Sequence, residues 1–130
     1  MAAEDLARIV AAVAAAEPGI VAAWVFGSRA RGEARAGSDL DVAILTDGTA
    51  PGLADAVAAE IARRTGLEVD VCRLEVAGPV LAYEIVTGGR RVFARDEEAA
   101  DLREERVRRE YLDTAYLRRV QHHYLYGDPL

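Results

Sequence analysis

Two aspartates separated by one residue, Asp39 and Asp41, begin an apolar segment that extends to Leu45. Alternation of acidic and apolar residues is typical of a β-strand, in which residues two apart share one face. The two side chains are therefore expected about 6.6 Å apart along the strand. Ionising both costs free energy unless a cation is bound between them. Mg²⁺ suits the pair because it accepts a few carboxylates and keeps positions for water and phosphate oxygens.

A third carboxylate, Asp70, lies in a later segment, Leu67 to Leu74, that alternates in the same way. A predicted helix, Leu53 to Thr65, separates the two strands and gives the chain enough length to bring them side by side. Asp70 would then meet Asp39 and Asp41. Three carboxylates on adjacent strands suit a two-metal phosphoryl or nucleotidyl transfer, in which one metal activates a hydroxyl and the other holds the leaving phosphates.

A Gly-Ser step, Gly27-Ser28, follows a predicted strand from Ile20 to Phe26. Glycine permits close approach of the backbone, and N–H groups with a serine hydroxyl suit the β and γ phosphates of a nucleotide. All sixteen basic residues are arginine, so no lysine is available to meet a triphosphate. Arginine is well suited to phosphate, although a solvent-exposed cluster is an equal alternative. The arginines nearest to the Gly-Ser step are Arg29, Arg31 and Arg35.

Each part of this pattern also has a simpler interpretation. Gly27-Ser28 alone is compatible with a plain turn, and the aspartates with a solvated strand face. A calcium-binding loop is disfavoured because apolar residues flank Asp41. The glycines Gly27, Gly32 and Gly37 are five residues apart, which matches neither the dinucleotide-binding fingerprint nor the Walker loop. The combination of the parts therefore carries the functional prediction.

The combination resembles the polymerase-β-type nucleotidyltransferases. Gly27-Ser28 is followed after ten residues by Asp39-x-Asp41, and a later strand supplies Asp70. The run Gly-Ser-Arg-Ala-Arg-Gly is most similar to the minimal nucleotidyltransferases, the MNT antitoxins encoded beside HEPN toxins. The resemblance covers Ile20 to about Asp96 well and the remainder of the chain loosely.

The resemblance implies a fold, a reaction and a partner. ATP would be the donor, two Mg²⁺ ions the cofactor, and a tyrosine hydroxyl of a cognate HEPN toxin the acceptor of AMP, with a hetero-oligomer as one expected assembly. Asp70 would be both a metal ligand and the base. The residues implied as catalytic and metal-binding are Asp39, Asp41 and Asp70, and those implied as nucleotide-binding are Gly27, Ser28, Arg29 and Arg31.

Two other functions stay open at this point. One is a small-molecule nucleotidyltransferase of the aminoglycoside type, which usually needs a second helical domain for which 130 residues leave little room. The other is a non-catalytic antitoxin that neutralises its toxin by binding alone. An adjacent HEPN reading frame or an AMP-modified partner would separate these possibilities.

The chain as a whole is predicted to form one α+β domain of the nucleotidyltransferase type, with a mixed sheet flanked by helices. Residues 1–96 would form the catalytic core and residues 97–130 a helical arm with one long helix from Glu97 to about Tyr124. A net charge of −6 argues against nucleic acid as a partner. No apolar run is long enough to span a membrane, and one cysteine excludes an internal disulfide, so we expect a cytoplasmic protein.

The predicted arm carries apolar residues at four-residue spacing, which places them along one side of a helix. These residues are Leu112, Tyr116, Val120 and Tyr124. Such a stripe packs either on the domain's own core or on a partner, and we expect both in different segments of the arm.

Overall fold

The computed structural model describes residues 1–35 and 37–130. One four-stranded sheet is flanked by helices on both faces. The helices are α1 (Ala3–Ala15), α2 (Leu53–Thr65), α3 (Pro79–Gly88), α4 (Glu97–Asp113) and α5 (Ala115–Tyr126), and the strands are β1 (Ile20–Phe26), β2 (Leu40–Thr46), β3 (Val69–Arg73) and β4 (Arg90–Ala94). A short 3₁₀ turn, Leu74–Val76, follows β3. The predicted α+β class is confirmed.

The sheet has the strand order β3-β2-β1-β4 and is mixed, as predicted. β1 pairs antiparallel with both β2 and β4, whereas β2 and β3 run parallel. Parallel neighbours need a crossover connection, and α2 supplies it. Gly66 ends α2 in the left-handed conformation that glycine favours, with φ of 73°. This crossover is what brings the two acidic strands together.

The two faces of the sheet have separate apolar cores. On one face, Val25, Val42 and Ile44 pack with α1 and α2. On the other face, Trp24 and Leu45 pack with residues of α3 and α4. Because strand residues alternate between faces, the acidic residues of β2 and β3 point to the second face, on which α3 and α4 lie.

Helix α4 is fastened to this second face by a buried polar contact as well as by packing. Trp24 has no exposed surface, and its indole Nε1 donates a hydrogen bond of 2.9 Å to Glu104. Arg91 lies 3.5 Å from the same carboxylate and offsets its charge. A buried indole N–H needs an acceptor, so this pairing stabilises the position of α4.

The predicted long C-terminal helix is present but bent, with Thr114 between α4 and α5. The Thr114 hydroxyl donates to the Glu110 and Tyr111 carbonyls, at 2.9 and 3.2 Å. Arg118 donates to the Tyr111 carbonyl at 2.7 Å from the following helix. Side chains that bond to backbone carbonyls compete with the helical hydrogen-bond ladder, which accounts for the bend.

Within the described ranges, none of the helices has both the length and the apolar character that crossing a membrane requires.

Candidate active site

The parallel pairing of β2 and β3 sets Asp41 directly opposite Asp70. Asp41 is partly buried, whereas Asp70 at the sheet edge is exposed. Their neighbours Leu40 and Val42 point to the opposite face and are fully buried. A register slip of one residue would expose these apolar side chains, so the core fixes the alignment of the two carboxylates.

The environment of Asp41 disfavours a negative charge. Burial raises the pKa of Asp41 above its usual value, and the charges of Asp70, Asp39 and Glu84 raise it further, in that order. Arg31 acts in the opposite direction and lowers the pKa. Like charges close together lose free energy on ionisation, and a bound cation would recover it.

Gly27 lies against the Asp41 carboxylate at the end of β1. Its φ of +77° falls in the left-handed region, and a Cβ atom there would lie 2.4 Å from Asp41 Oδ2. Both observations require glycine at this position. Phe26, the preceding residue, pairs with Asp41 in the sheet, so β1 and β2 together bring the Gly-Ser turn to the carboxylate.

A cleft of about 430 Å³ opens above these residues. Its floor comes from β2 and β3, one wall from the end of β1 and the turn after it, and its roof from α3. The lining residues are Phe26, Gly27, Ser28, Arg31, Asp41, Asp70, Cys72, Leu81 and Glu84. Five of the predicted site residues therefore line one cleft, with Asp41 and Asp70 beside the Gly-Ser turn.

The three predicted arginines occupy different positions. Arg31 lines the cleft and pairs with Glu33 at 3.0 Å. Arg29 turns away and donates two hydrogen bonds to the Ser38 carbonyl, at 3.1 and 2.8 Å, which ties together the two ends of the connecting loop. The Arg35 backbone N–H donates to the Ser38 hydroxyl at 2.9 Å. Arg31 is therefore the arginine that the structure brings to the predicted site.

Asp39 lies one residue before β2, is exposed, and is not among the lining residues described above. Among residues 1–35 and 37–130, no three His, Cys, Asp or Glu side chains are close enough together to hold a metal ion. Asp41 and Asp70 are the facing pair, and their chemistry fits a hard divalent cation: two oxygen donors whose mutual repulsion such an ion would remove. The roles of Asp39, Asp41 and Asp70 as metal ligands stay predictions.

Sequence reasoning missed part of the cleft as functional surface. Cys72 follows Asp70 on the same face of β3, a position that alternation alone could have placed in the site. Burial raises the pKa of its thiol, and the charge of Asp70 raises it further. Leu81 and Glu84 are three residues apart on α3, a spacing that puts them on one side of the helix, but the sequence did not indicate which side meets the sheet.

The family model described as Polymerase beta, Nucleotidyltransferase matches residues 9–98. The chain belongs to this family. The match includes the Gly-Ser turn, Asp41, Asp70 and all of α3, so every residue that lines the cleft falls within it. The predicted superfamily is confirmed. No curated protein matches the chain in sequence.

Solved structures of the same fold resemble the chain over nearly its whole length. One is a crystal structure described as a toxin-antitoxin with AMP-PNP, with a TM-score of 0.81, 21% identity, and coverage of 92% of this chain and 97% of that one. Another contains a tri-AMPylated Shewanella oneidensis HEPN toxin in complex with MNT antitoxin, with a TM-score of 0.77, 18% identity, and coverage of 95% and 98%. A third, the toxin-antitoxin MntA-HepT, has a TM-score of 0.76, 18% identity, and coverage of 94% and 97%. At these identities the likeness shows a shared fold.

Proposed function

We propose that this chain is an antitoxin that transfers AMP from ATP to a tyrosine hydroxyl of a cognate HEPN toxin. The observation that carries the proposal is the alignment of Asp41 with Asp70 beside the Gly27-Ser28 turn in a single cleft. This arrangement offers a position for cations and a neighbouring position for phosphates. Membership of the nucleotidyltransferase family supports the reaction class.

In the proposed reaction the acceptor oxygen forms a bond to the α-phosphorus of ATP, the bond from that phosphorus to the bridging oxygen breaks, and pyrophosphate leaves. The hydroxyl proton passes to Asp70. Asp39, Asp41 and Asp70 would hold two Mg²⁺ ions, which would favour ionisation of the hydroxyl and offset charge on the phosphates. Gly27 allows the close backbone approach that a triphosphate needs, and Ser28 and Arg31 would donate hydrogen bonds to it.

The identity of donor and acceptor is supported by the similar structures. One of those proteins is described with AMP-PNP, and another is in complex with an AMPylated HEPN toxin. This chain has the same fold over almost the same length. We propose that it likewise binds ATP and forms a hetero-oligomer with its toxin, in the cytoplasm.

The test is co-expression of this chain with the product of a neighbouring HEPN reading frame, followed by labelling with ATP. Label in the α position should appear on the toxin, whereas label in the γ position should leave with pyrophosphate. Intact mass should show whole AMP units on the toxin, and replacing its acceptor tyrosine with phenylalanine should remove them. The matched control is the Asp41→Asn variant, which should bind the toxin without modifying it.

Other outcomes would replace the proposal. Transfer of γ label without α label would make the chemistry phosphoryl transfer. Neutralisation of the toxin with neither label would indicate an antitoxin that acts by binding alone. Adenylylation of a hydroxylated small molecule, with the toxin unmodified, would indicate the aminoglycoside-type activity.

A further inference from the structure

Helix α3 has two different sides. Ala82, Ile85 and Val86 are buried against the second face of the sheet and fix the helix in place. Leu81 and Glu84 line the cleft instead, and Leu81 keeps 40% of its surface exposed. These two side chains therefore lie in the cleft without being needed for the core.

Glu84 has a carboxylate with no assigned partner. Within the part of the chain that the structure describes, it makes neither a hydrogen bond nor an ion pair, whereas Glu33 pairs with Arg31 and Glu75 accepts from the Thr46 backbone N–H. Arg31, the one arginine among the residues that line the cleft, is thus already paired with another carboxylate. The Glu84 carboxylate is therefore available to pair with a cationic group of a molecule that enters the cleft.

The donor nucleotide is a poor match for this charge. ATP is a polyanion that this carboxylate repels, and the facing carboxylates Asp41 and Asp70 are the better ligands for the cations that accompany ATP. A cationic group next to the roof would have to come from the acceptor. Leu81 and Phe26 add apolar surface to the same cleft, which suits the ring of an aromatic hydroxyl.

The cleft also has a side from which another chain can enter. β3 is the edge strand of the sheet, and the described lining residues include none from beyond it. A segment of a second protein could therefore approach the cleft over the edge of the sheet at Asp70. A nucleotide held at the Gly-Ser turn would leave this side free.

We infer that Leu81 and Glu84 form the acceptor subsite, which selects a tyrosine flanked by basic residues. The inference rests on the proposed function and names the class of segment that the reaction accepts. Leu81 packs on the acceptor ring, and Glu84 pairs with a neighbouring arginine or lysine. Glu84 is a specificity-determining residue here, distinct from the residues that bind the metal ions and the phosphates.

The experiment measures binding of two fluorescent peptides to the chain in the presence of Mg²⁺ and AMP-PNP. The peptides share a central tyrosine and differ only in its flanking residues, which are arginine in one and glutamate in the other. Wild type should prefer the arginine peptide by about threefold to tenfold, the range expected for a partly exposed ion pair. Glu84→Gln should abolish the preference, and Glu84→Arg should reverse it.

Two further variants separate the parts of the subsite. Leu81→Ala should weaken binding of both peptides equally, because it removes apolar contact without changing charge. Glu98→Gln, which removes an exposed carboxylate in the first turn of α4, should leave the preference unchanged and controls for net charge. Affinity for AMP-PNP should not fall in any of these variants.

The inference is overturned if neither peptide binds, if wild type shows no preference, or if Glu84→Gln keeps it. Loss of AMP-PNP affinity in Glu84→Gln would also overturn it, since the roof would then hold the nucleotide. Failure of the proposed function is a separate result: the peptide preference would stand while no AMP was transferred to any acceptor.

Discussion

Asp41 lies between two fully buried residues, Leu40 and Val42, whereas α5 has no buried residue along its whole described length. The first region is positioned by the apolar core, and a change in its register would expose that core. The second region is attached by a few specific contacts and keeps its apolar side chains in solvent. The contrast places the candidate site on the part of the chain that the core fixes and leaves α5 with exposed apolar surface.

Contacts that attach α5 form a stack across three helices. The rings of Tyr83 in α3 and Tyr111 in α4 are nearly parallel, with centroids 3.8 Å apart. The Arg118 guanidinium in α5 lies over the other side of the Tyr111 ring, 3.9 Å from its centroid. Stacking and cation–π contacts of this kind contribute about 1 kcal/mol each, far less than the burial that fixes β2. Helix α5 thus contacts α3, the helix that lines the cleft, through the Tyr111 ring.

The largest expected effect comes from Asp41→Asn. AMP transfer should fall by about a hundredfold or more, because a bound metal ion stabilises transition-state charge by several kcal/mol. The fold should survive, since the substitution keeps the size of the side chain. Rates with α-labelled ATP and circular dichroism of the same preparations would measure the two effects.

The same variant has a pH-dependent effect on stability. The pKa of Asp41 is raised in the folded state, so its ionised form destabilises the fold above that pKa, and the effect disappears below the unfolded value of about 3.9. In metal-free buffer at pH 7 the melting temperature of Asp41→Asn should equal or exceed that of wild type. Any such difference in melting temperature should disappear at about pH 3. A large fall in Tm at neutral pH would instead mark Asp41 as a structural residue.

Gly27→Ala tests how tightly the turn is built against the site. The added Cβ would lie 2.4 Å from Asp41 Oδ2 on a backbone with φ of +77°. We expect a loss of about 2–4 kcal/mol in unfolding free energy, from a backbone cost of ~1 and a steric cost of ~1–3. Gly32→Ala is the matched control, because φ is +72° and no described atom lies within 4 Å of its Cβ position. Denaturant unfolding of both should show the difference, and equal losses would remove the steric argument.

Trp24→Phe tests the buried attachment of α4. It removes the hydrogen bond to Glu104 and leaves a gap beside a largely buried carboxylate. We expect a loss of about 2 kcal/mol in unfolding free energy. Tyr116→Phe on α5 is the comparison, because Tyr116 is 59% exposed and the change should be within about 0.5 kcal/mol. Similar losses at both positions would contradict the contrast between the buried sheet and α5.

Tyr116→Asp combined with Val120→Asp is expected to have little effect on the fold. Tyr116 is exposed and Val120 only partly buried, so Tm should change little. Partner binding and AMP transfer should fall together while ATP binding stays intact, as pull-down and calorimetry would show. Asp41→Asn should do the reverse and lose transfer while keeping the complex. If the arm variant loses ATP binding, the stripe belongs to the core and does not dock the partner.

Local patterns predicted the elements well and their assembly less well. Both ends of β1 and α2 follow from apolar content and from the turn residues beside them, because those signals are local. The bend at Thr114 was not predicted. It depends on hydrogen bonds from the Thr114 hydroxyl and from Arg118 to backbone carbonyls, and a periodic sequence pattern contains no information on such bonds. Alternation predicted which residues of β3 share a face with Asp70. It could not predict which residue of β3 lies opposite Asp41, because the packing of the two cores determines that register.

The site was predictable to the extent that its residues are close in sequence. The Gly-Ser turn and Asp41 lie on consecutive strands, so their meeting follows from one antiparallel pair. Arg29 donates to the Ser38 carbonyl, a bond that composition does not reveal, and its predicted contact with phosphates stays a prediction. Glu84 comes from α3, and its place depends on which side of that helix the sheet buries.

The parallel pairing of β2 with β3 also has a consequence for the order of events during synthesis. Asp41 emerges from the ribosome early, but its partner Asp70 follows only after the whole of α2, and non-local pairing of this kind is slow. The two carboxylates therefore become neighbours only when β3 has joined the edge of the sheet. The arm, residues 97–130, is made later still. Any molecule that binds the arm would thus meet a chain whose catalytic strands had already been synthesised.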